Sequence, residues 1–214
     1  MTEVTDVWKL PFKPNGLQAT PDGLWVMGQS GGTFMDDHAY KLSYNDGSVL
    51  DKVPTGLSHA GGLTVGGGYV WVAADYEIFK LDRDGNILQR HISPGGRGAH
   101  GIEWIDEDNM WVVDPGKFRV DLVDPATMEI KRSVPTPVGK KAHGMFIGDG
   151  VIWQGVTRKD FGGGEIYQID IDDGTILHRI DIPDPEIHGL AGHDGRIWFC
   201  CARTNRVCTI PMPS

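Results

Sequence analysis

Five copies of one short phrase predict an all-β chain that folds as a five-bladed β-propeller with four-stranded blades. Each copy pairs a glycine with an apolar residue, and a tryptophan follows about ten residues after the start of the phrase. These tryptophans recur at intervals of 40 to 46 residues, at Trp25, Trp71, Trp111, Trp153 and Trp198. A repeat of roughly 40–45 residues with about four strands per unit is the signature of a propeller.

Within each repeat the strands are predicted in a fixed order, A to D, with A innermost. Strand A opens with the phrase, at Asn15-Gly16-Leu17, Gly61-Gly62-Leu63, His100-Gly101-Ile102, His143-Gly144-Met145 and His188-Gly189-Leu190. Strand B carries the tryptophan, which we interpret as a packing residue between blades. Turns such as Asp46-Gly47, Asp84-Gly85 and Asp173-Gly174 connect strands C and D, as Asx-Gly pairs suit tight turns.

The N-terminal segment is predicted to complete the last blade. Val7-Trp8-Lys9-Leu10 alternates apolar and polar residues like the outer strands of other repeats, whereas the repeat around Trp198 has no outer strand of its own. Pairing the two would close the ring and remove two exposed sheet edges. We therefore expect residues 1–214 to form a single propeller domain.

Composition limits the classes of partner. The formal net charge of −9 argues against a nucleic-acid surface, which needs a basic stripe. No stretch approaches the roughly 20 apolar residues of a membrane span, and no signal peptide is visible. The three cysteines have no framework spacing, which suits a reducing compartment. We expect a cytoplasmic protein with a small-molecule substrate; the sequence does not predict its oligomeric state.

Histidines at the start of strand A are the main candidates for function. His100, His143 and His188 occupy one repeat position, and His59 lies two residues before the equivalent Gly61, a spacing that keeps the same strand face. Because strand A lines the propeller channel, these imidazoles are predicted to converge on a divalent metal ion, with Zn²⁺, Fe²⁺, Mn²⁺ or Mg²⁺ left open. The alternative is that the histidines were copied with the repeats and only bond backbone. Asn15, at the fifth equivalent position, is a poor ligand but a fair hydrogen-bond donor.

The same end of the propeller should carry the catalytic side chains. The ends of the B strands and the B–C loops meet the start of strand A there, and two loops, 29–38 and 157–164, are long and glycine-rich. We predict that Asp75 or Tyr76 moves a proton and that Arg158 or Arg203 supports a developing anion. His38 on this face is a further candidate acid or base, although a solvated role is commoner. Glu103 is a candidate base whose strand parity is opposite to that of the ligands.

The repeat resembles virginiamycin B (streptogramin) lyase and its NHL-type relatives. The likeness consists of His-Gly-[Ile/Leu/Met] opening an inner strand and Asp-Gly-x-[Ile/Leu]-Trp opening the next, and it extends over nearly the whole chain. It implies a divalent metal held at the channel by His100, His143 and His188, and so a metal-dependent lyase. These relatives have more blades, and the narrower ring here leaves the substrate open. Two alternatives remain: a four-histidine non-haem iron oxygenase, as in carotenoid-cleavage propellers, and a non-catalytic binding module.

Overall fold

A computed structural model describes residues 3–29, 37–96, 98–137, 141–158 and 162–213. These residues form five antiparallel sheets of four strands each, which are the five predicted blades. The predicted fold class is therefore confirmed. No helix in these ranges is long and apolar enough to cross a membrane.

The twenty strands follow the chain from blade to blade. Blade 1 consists of β2 (Pro14–Thr20), β3 (Gly23–Gly28), β4 (His38–Leu42) and β5 (Val49–Pro54). Blade 2 consists of β6 (Ala60–Gly66), β7 (Tyr69–Ala74), β8 (Glu77–Leu81) and β9 (Ile87–Ile92). Blade 3 consists of β10 (Ile102–Trp104), β11 (Met110–Asp114), β12 (Arg119–Val123) and β13 (Ile130–Pro135). Blade 4 consists of β14 (Lys141–Gly148), β15 (Val151–Thr157), β16 (Gly164–Asp170) and β17 (Ile176–Ile182). Blade 5 consists of β18 (Leu190–His193), β19 (Arg196–Cys201), β20 (Arg206–Pro211) and the N-terminal β1 (Thr5–Lys9).

The N-terminal strand closes the ring as predicted. β1 runs antiparallel to β20, with Thr5 opposite Thr209 and Trp8 opposite Val207. The ring of Trp8 lies 5.3 Å from that of Trp198, and this contact adds aromatic packing to the backbone pairing. Pairing through β1 also covers the edge of β20, which would otherwise be free to bind another strand.

Packing between blades explains the repeated tryptophans. All five are at most 7 % exposed, and they belong to core clusters that combine residues of adjacent blades. In one such cluster, Trp25 of blade 1 packs with Leu63 and Val70 of blade 2. The interpretation of these side chains as structural is therefore confirmed.

Glycine in the repeated phrase allows neighbouring inner strands to approach closely. A Cβ atom on Gly62 would lie 2.3 Å from the carbonyl oxygen of His100, and one on Gly144 would lie 2.4 Å from the amide nitrogen of Leu190. The gap among these glycines, lined also by Leu17, Leu63 and Met145, is too narrow to hold a water molecule. The inner strands thus form a tight ring, with the first residue of each phrase at its rim.

Candidate active site

The candidate site lies at the end of the channel where the repeated phrases begin, which we call the upper face. We call the first residue of each phrase the axial residue, and the five are Asn15, Gly61, His100, His143 and His188. In blades 1, 2 and 4 the pairing of strand A with strand B shifts by one residue at this point. Blade 5 has an equivalent irregularity. The backbone N–H of His188 donates to the carbonyl of Cys200, and the N–H of Cys200 donates to the carbonyl of Gly189. Such bulges change the direction of a side chain next to functional sites.

Three axial histidines form a contiguous group, which we call the histidine cluster. The ring centroids of His100 and His143 are 4.5 Å apart, and those of His143 and His188 are 4.7 Å apart. His143 is 1 % exposed. Within the described chain, His100 Nδ1, His143 Nε2 and His188 Nδ1 are buried and have no hydrogen-bond partner. Unpartnered polar atoms are unfavourable in a core and are commonly a sign of a missing ligand or water.

Burial keeps the cluster neutral. It lowers the pKa of His100 to about 4, with a smaller contribution from the positive charge of Lys141. It also lowers the pKa of His188 to about 3, helped by His100, Lys141 and Lys13. The pKa of His143 falls well below its usual range, first through burial and then through the other two rings. Neutral imidazoles with free lone pairs are available as metal ligands or proton acceptors.

Two neighbouring groups lie beside the cluster. His143 Nδ1 lies 3.0 Å from the carbonyl oxygen of Lys141, and because a carbonyl can only accept, Nδ1 carries the hydrogen and Nε2 the lone pair. The carboxylate of Glu186 lies 3.6 Å from His188 Nδ1 and is itself buried. Its Oε1 accepts a 2.8 Å hydrogen bond from the backbone of Arg203. The Lys141 contact is of the kind that fixes the tautomer and direction of a working imidazole, whereas Glu186 at 3.6 Å is too far to make a hydrogen bond to His188.

Among the described residues, His59 and Asn15, the other two candidates near the channel axis, make no ring contact with the histidine cluster. His59 precedes β6 with a φ of 51°, so the parity of a strand does not apply to it. Its side chain is 71 % exposed and its Nδ1 lies 3.4 Å from Asp75 Oδ1, at the rim and outside the ring contacts of the cluster. Asn15 is buried and donates to the carbonyl of Ala60, which ties blade 1 to blade 2.

A cleft of about 790 Å³ opens above the cluster between blades 2 and 3, and we call it the upper cleft. His100 forms part of its floor, and predicted residues Asp75 and Tyr76 stand in its wall with His59 and Lys141. Its volume is within the usual range for small-molecule sites, roughly 300–1,000 Å³. The structure therefore brings two of the four predicted catalytic residues to one cleft with one axial histidine.

The two predicted arginines lie further around the upper face. Arg158 pairs with Asp181 across blade 4, and Arg203 lies 3.9 Å from Asp184. Neither is among the residues that line the upper cleft. The middles of the two long loops, 30–36 and 159–161, lie outside the described residues, whereas His38 lies 3.4 Å from Asp37 at the end of the first loop.

Sequence reasoning missed Lys141 and Glu186. Each lies two residues before an axial histidine, Lys141 before His143 and Glu186 before His188. The signal available in the sequence was a charged residue two positions before the histidine. Residues two apart share a strand face, so this offset places each charged residue next to its imidazole.

The donor atoms of the cluster fit a metal ion in kind, but their arrangement is not that of a formed metal site. Across the described ranges, no group of three or more His, Cys, Asp or Glu side chains is placed to hold a metal ion. The ring separations of 4.5 and 4.7 Å are near or just below the roughly 4.6–5.3 Å expected for two imidazoles on one ion with metal–nitrogen bonds near 2.1 Å.

Comparison with solved structures shows the fold. Glutaminyl cyclase from Myxococcus xanthus superposes with a TM-score of 0.71 at 16 % identity, covering 97 % of this chain and 95 % of that one. Virginiamycin B lyase from Staphylococcus aureus gives 0.55 at 17 % identity, covering 95 % of this chain and 69 % of that one. A luciferin-regenerating enzyme gives 0.62 at 14 % identity, covering 99 % and 95 %.

No protein-family model matches the sequence, and no curated protein matches it. The resemblance to virginiamycin B lyase is thus supported as a likeness of propeller fold, shared with other propellers such as the WD40 domain of Doa1. At these identities the structural matches show a β-propeller fold and no specific family within it, and the five sheets of this chain make it a five-bladed member of that class.

Proposed function

We propose that this propeller is a metal-dependent enzyme that acts on a small molecule in the upper cleft, by a lyase-type elimination. The observation that carries the proposal is the histidine cluster, in which three adjacent neutral imidazoles each keep one buried nitrogen without a partner. A protein that placed these groups only for packing would leave three acceptors or donors unsatisfied, at roughly 1–3 kcal/mol each.

His100, His143 and His188 would hold the metal. A divalent ion bound there would supply a Lewis acid that polarises a substrate carbonyl. The torsion about the Cβ–Cγ bond of histidine is broad, so the rings can turn toward a common point without a change of backbone. The carbonyl of Lys141 restricts this freedom for His143, because it holds Nδ1 and leaves Nε2 for the metal.

Residues of the upper cleft would handle the proton and the charge. Asp75 is the proposed base, since its carboxylate is half-exposed, faces the cleft and lies 3.4 Å from His59, which can accept the proton in turn. Tyr76 beside it is a second proton carrier. Lys141 stands at the cleft wall and would stabilise an enolate as it forms. Arg158 and Arg203 remain proposed anion-binding residues for parts of a substrate that extend toward blades 4 and 5.

Elemental analysis of the purified protein tests the proposal. We expect about one divalent ion per chain, and we expect His143→Ala to lose it because this residue is the middle member of the cluster. His178→Ala, an exposed histidine on outer strand β17, is the matched control and should keep the metal.

Each outcome separates the hypotheses. Zinc, magnesium or manganese with an elimination product supports the lyase, whereas iron with oxygen-dependent turnover would replace it by the oxygenase. Metal retained in His143→Ala contradicts the ligand assignment. A protein that binds no divalent ion even after reconstitution would leave the non-catalytic binding module or the metal-free enzyme described next.

A second candidate function is metal-free cyclisation of an N-terminal glutaminyl residue. One observation favours it: the likeness to glutaminyl cyclase spans nearly the full length of both chains. In that reaction the α-amine attacks the side-chain amide carbon, a carbon–nitrogen bond forms and ammonia leaves. A neutral imidazole could take the amine proton and Lys141 could stabilise the oxyanion. Ammonia release from a glutaminyl peptide by chelator-treated protein would support this candidate.

A further inference from the structure

A second pocket lies on the lower face of the propeller, the end opposite the histidine cluster, and it arises from a missing cap. In each blade the residue before the tryptophan pairs with an apolar residue at or next to the end of strand C, and these partners are Leu42, Leu81, Val123, Ile169 and Ile210. Two positions further on, a side chain covers the tryptophan of the preceding blade. Tyr44 lies 5.4 Å from Trp198 and Arg83 lies 4.8 Å from Trp25, whereas Ile171 and Met212 pack against the core clusters that contain Trp111 and Trp153.

At the interface of blades 2 and 3 the covering position is occupied by Pro125. Its ring is too short to lie over Trp71, and a pocket of about 300 Å³ remains there, lined by both residues. Tyr69 and Trp104 form its aromatic walls. Trp104 is held firmly, because its ring lies flat on Gly66, where a Cβ atom would be 2.0 Å from it. We call this space the lower pocket.

Polar atoms in the lower pocket are left without partners. Trp71, Lys80 and Gln89 are direct cross-strand neighbours on one face of blade 2. Trp71 is 2 % exposed, and among the described residues neither its Nε1 nor the buried Oε1 of Gln89 has a hydrogen-bond partner. Lys80 Nζ lies 4.0 Å from the ring centroid of Tyr69 and 5.2 Å from that of Trp71. The pocket thus presents one unused donor and one unused acceptor between aromatic surfaces.

We propose that the lower pocket binds one neutral sugar ring, a hexopyranose that is either free or the end of a glycan. A hydroxyl group both accepts and donates, so one or two hydroxyls would satisfy Trp71 Nε1–H and Gln89 Oε1 together. The apolar C–H face of the ring packs on aromatic side chains such as Trp104 and Tyr69. The volume is at the small end of ligand sites, which suits a single ring.

Other ligand classes fit the same atoms less well. Lys80 and Glu107 both line the pocket, so the lining carries one charge of each sign and favours a neutral ligand, while a purely apolar ligand would leave both buried polar atoms unsatisfied. A carboxylate could accept from Trp71 Nε1 but would place its oxygens against the carbonyl oxygen of Gln89. The neutral sugar is the class that matches donor, acceptor and aromatic walls at once.

Titration followed by NMR of the tryptophan indole N–H signals tests the proposal. The probes are the methyl glycosides of glucose, galactose, mannose and N-acetylglucosamine, each at high millimolar concentration, with sodium acetate as the anionic comparison. The chain has seven tryptophans, and the Trp71 signal is assigned by its loss in Trp71→Phe. We expect at least one glycoside to shift the Trp71 signal saturably, and acetate to leave it unchanged.

Two variants address the pocket without removing its core tryptophan. Pro125→Arg supplies the cap that Arg83 provides in the preceding blade, so it should abolish the shift of the Trp71 signal. Gln89→Leu removes the acceptor and should weaken binding at least tenfold. His178→Leu is the matched control, because His178 occupies the equivalent outer-strand position in blade 4, where Met212 packs against the cluster that contains Trp153. No response of Trp71 to any of the four glycosides overturns the proposal, as does a response to acetate alone or one that survives Pro125→Arg.

Discussion

At the scale of single residues, burial changes the protonation of Glu103, which lies on inner strand β10. It lies three residues after His100 and half-buried, with its Oε2 enclosed and without a partner in the described chain. Burial raises its pKa to about 8, and a hydrogen bond from Gln18 offsets this only in part. The opposite strand parity predicted from the sequence fits a position away from the histidine cluster. Its carboxyl group is therefore neutral near pH 7 and separate from the proposed proton transfer.

Stability should depend on pH through Glu103. Between about pH 4.5 and 8 the folded protein keeps a proton that the unfolded chain has released, so this contribution is fully present at low pH and is lost as pH rises through 8. We expect Glu103→Gln to remove that loss, which amounts to a few kcal/mol at most because one pKa unit corresponds to about 1.4 kcal/mol.

Urea unfolding of the wild type and Glu103→Gln between pH 5 and pH 8.5 measures this difference. The variant should gain relative to the wild type as pH rises. Glu129→Gln, an exposed glutamate in the same blade, is the control and should run parallel to the wild type. A constant difference between Glu103→Gln and the wild type over this range would contradict the assignment.

At the scale of strands, the axial bulge decides what the repeated phrase does. The sequence predicts which residues stand at the start of strand A, because the phrase recurs in register with the tryptophan. It does not predict the extra residue in strand A, since a bulge leaves no change in apolar periodicity. For this reason His59, expected on the same face as Gly61, instead precedes the strand in a left-handed turn.

Fold and site were therefore predictable to different degrees. Tryptophan spacing, Asx-Gly turns and the orphan N-terminal strand define the five blades and their closure, because each depends on local pattern and burial. The contacts of Lys141 and Glu186 with the cluster depend on backbone geometry that no single repeat encodes. Likewise, the lower pocket follows from comparing the residue that caps each tryptophan, which requires the register between blades.

Close approach of inner strands makes the phrase glycines hard to replace. In Gly62→Ala the new methyl would lie 2.3 Å from the carbonyl oxygen of His100, a backbone atom that cannot move aside without shifting blade 3. We expect a loss of about 1–3 kcal/mol or more in the free energy of unfolding, as overpacked cores show. Gly148→Ala is the control, because its Cβ would meet only Phe146 at 3.9 Å. Equal unfolding midpoints for the two variants would show that the inner strands move apart at little cost to accept the methyl group.

At the scale of the whole molecule, the ring is closed by non-covalent pairing of β1 with β20. Asp6 accepts from Arg206 at 3.0 Å, and Leu10 N donates to the carbonyl of Asn205 at 2.7 Å, so the closure is continuous along the strand. Because the two strands are antiparallel, the start of β1 lies beside the end of β20. A short turn could join them and make the last blade continuous in sequence.

A circular permutant tests whether closure depends on the order of the chain. It would begin at Phe12 and carry residues 3–11 after residue 213 through a short Gly/Ser linker. We expect the same near-UV circular dichroism and an equal or higher unfolding midpoint, because every native contact is kept and the closing strand becomes tethered. Deletion of residues 3–9 is the comparison, and it should unfold earlier and associate with rising concentration, because the edge of β20 is then exposed. A permutant that fails to fold would mean that closure depends on the order of the chain, and a deletion variant as stable as the wild type would mean that β1 does not carry the closure of the ring.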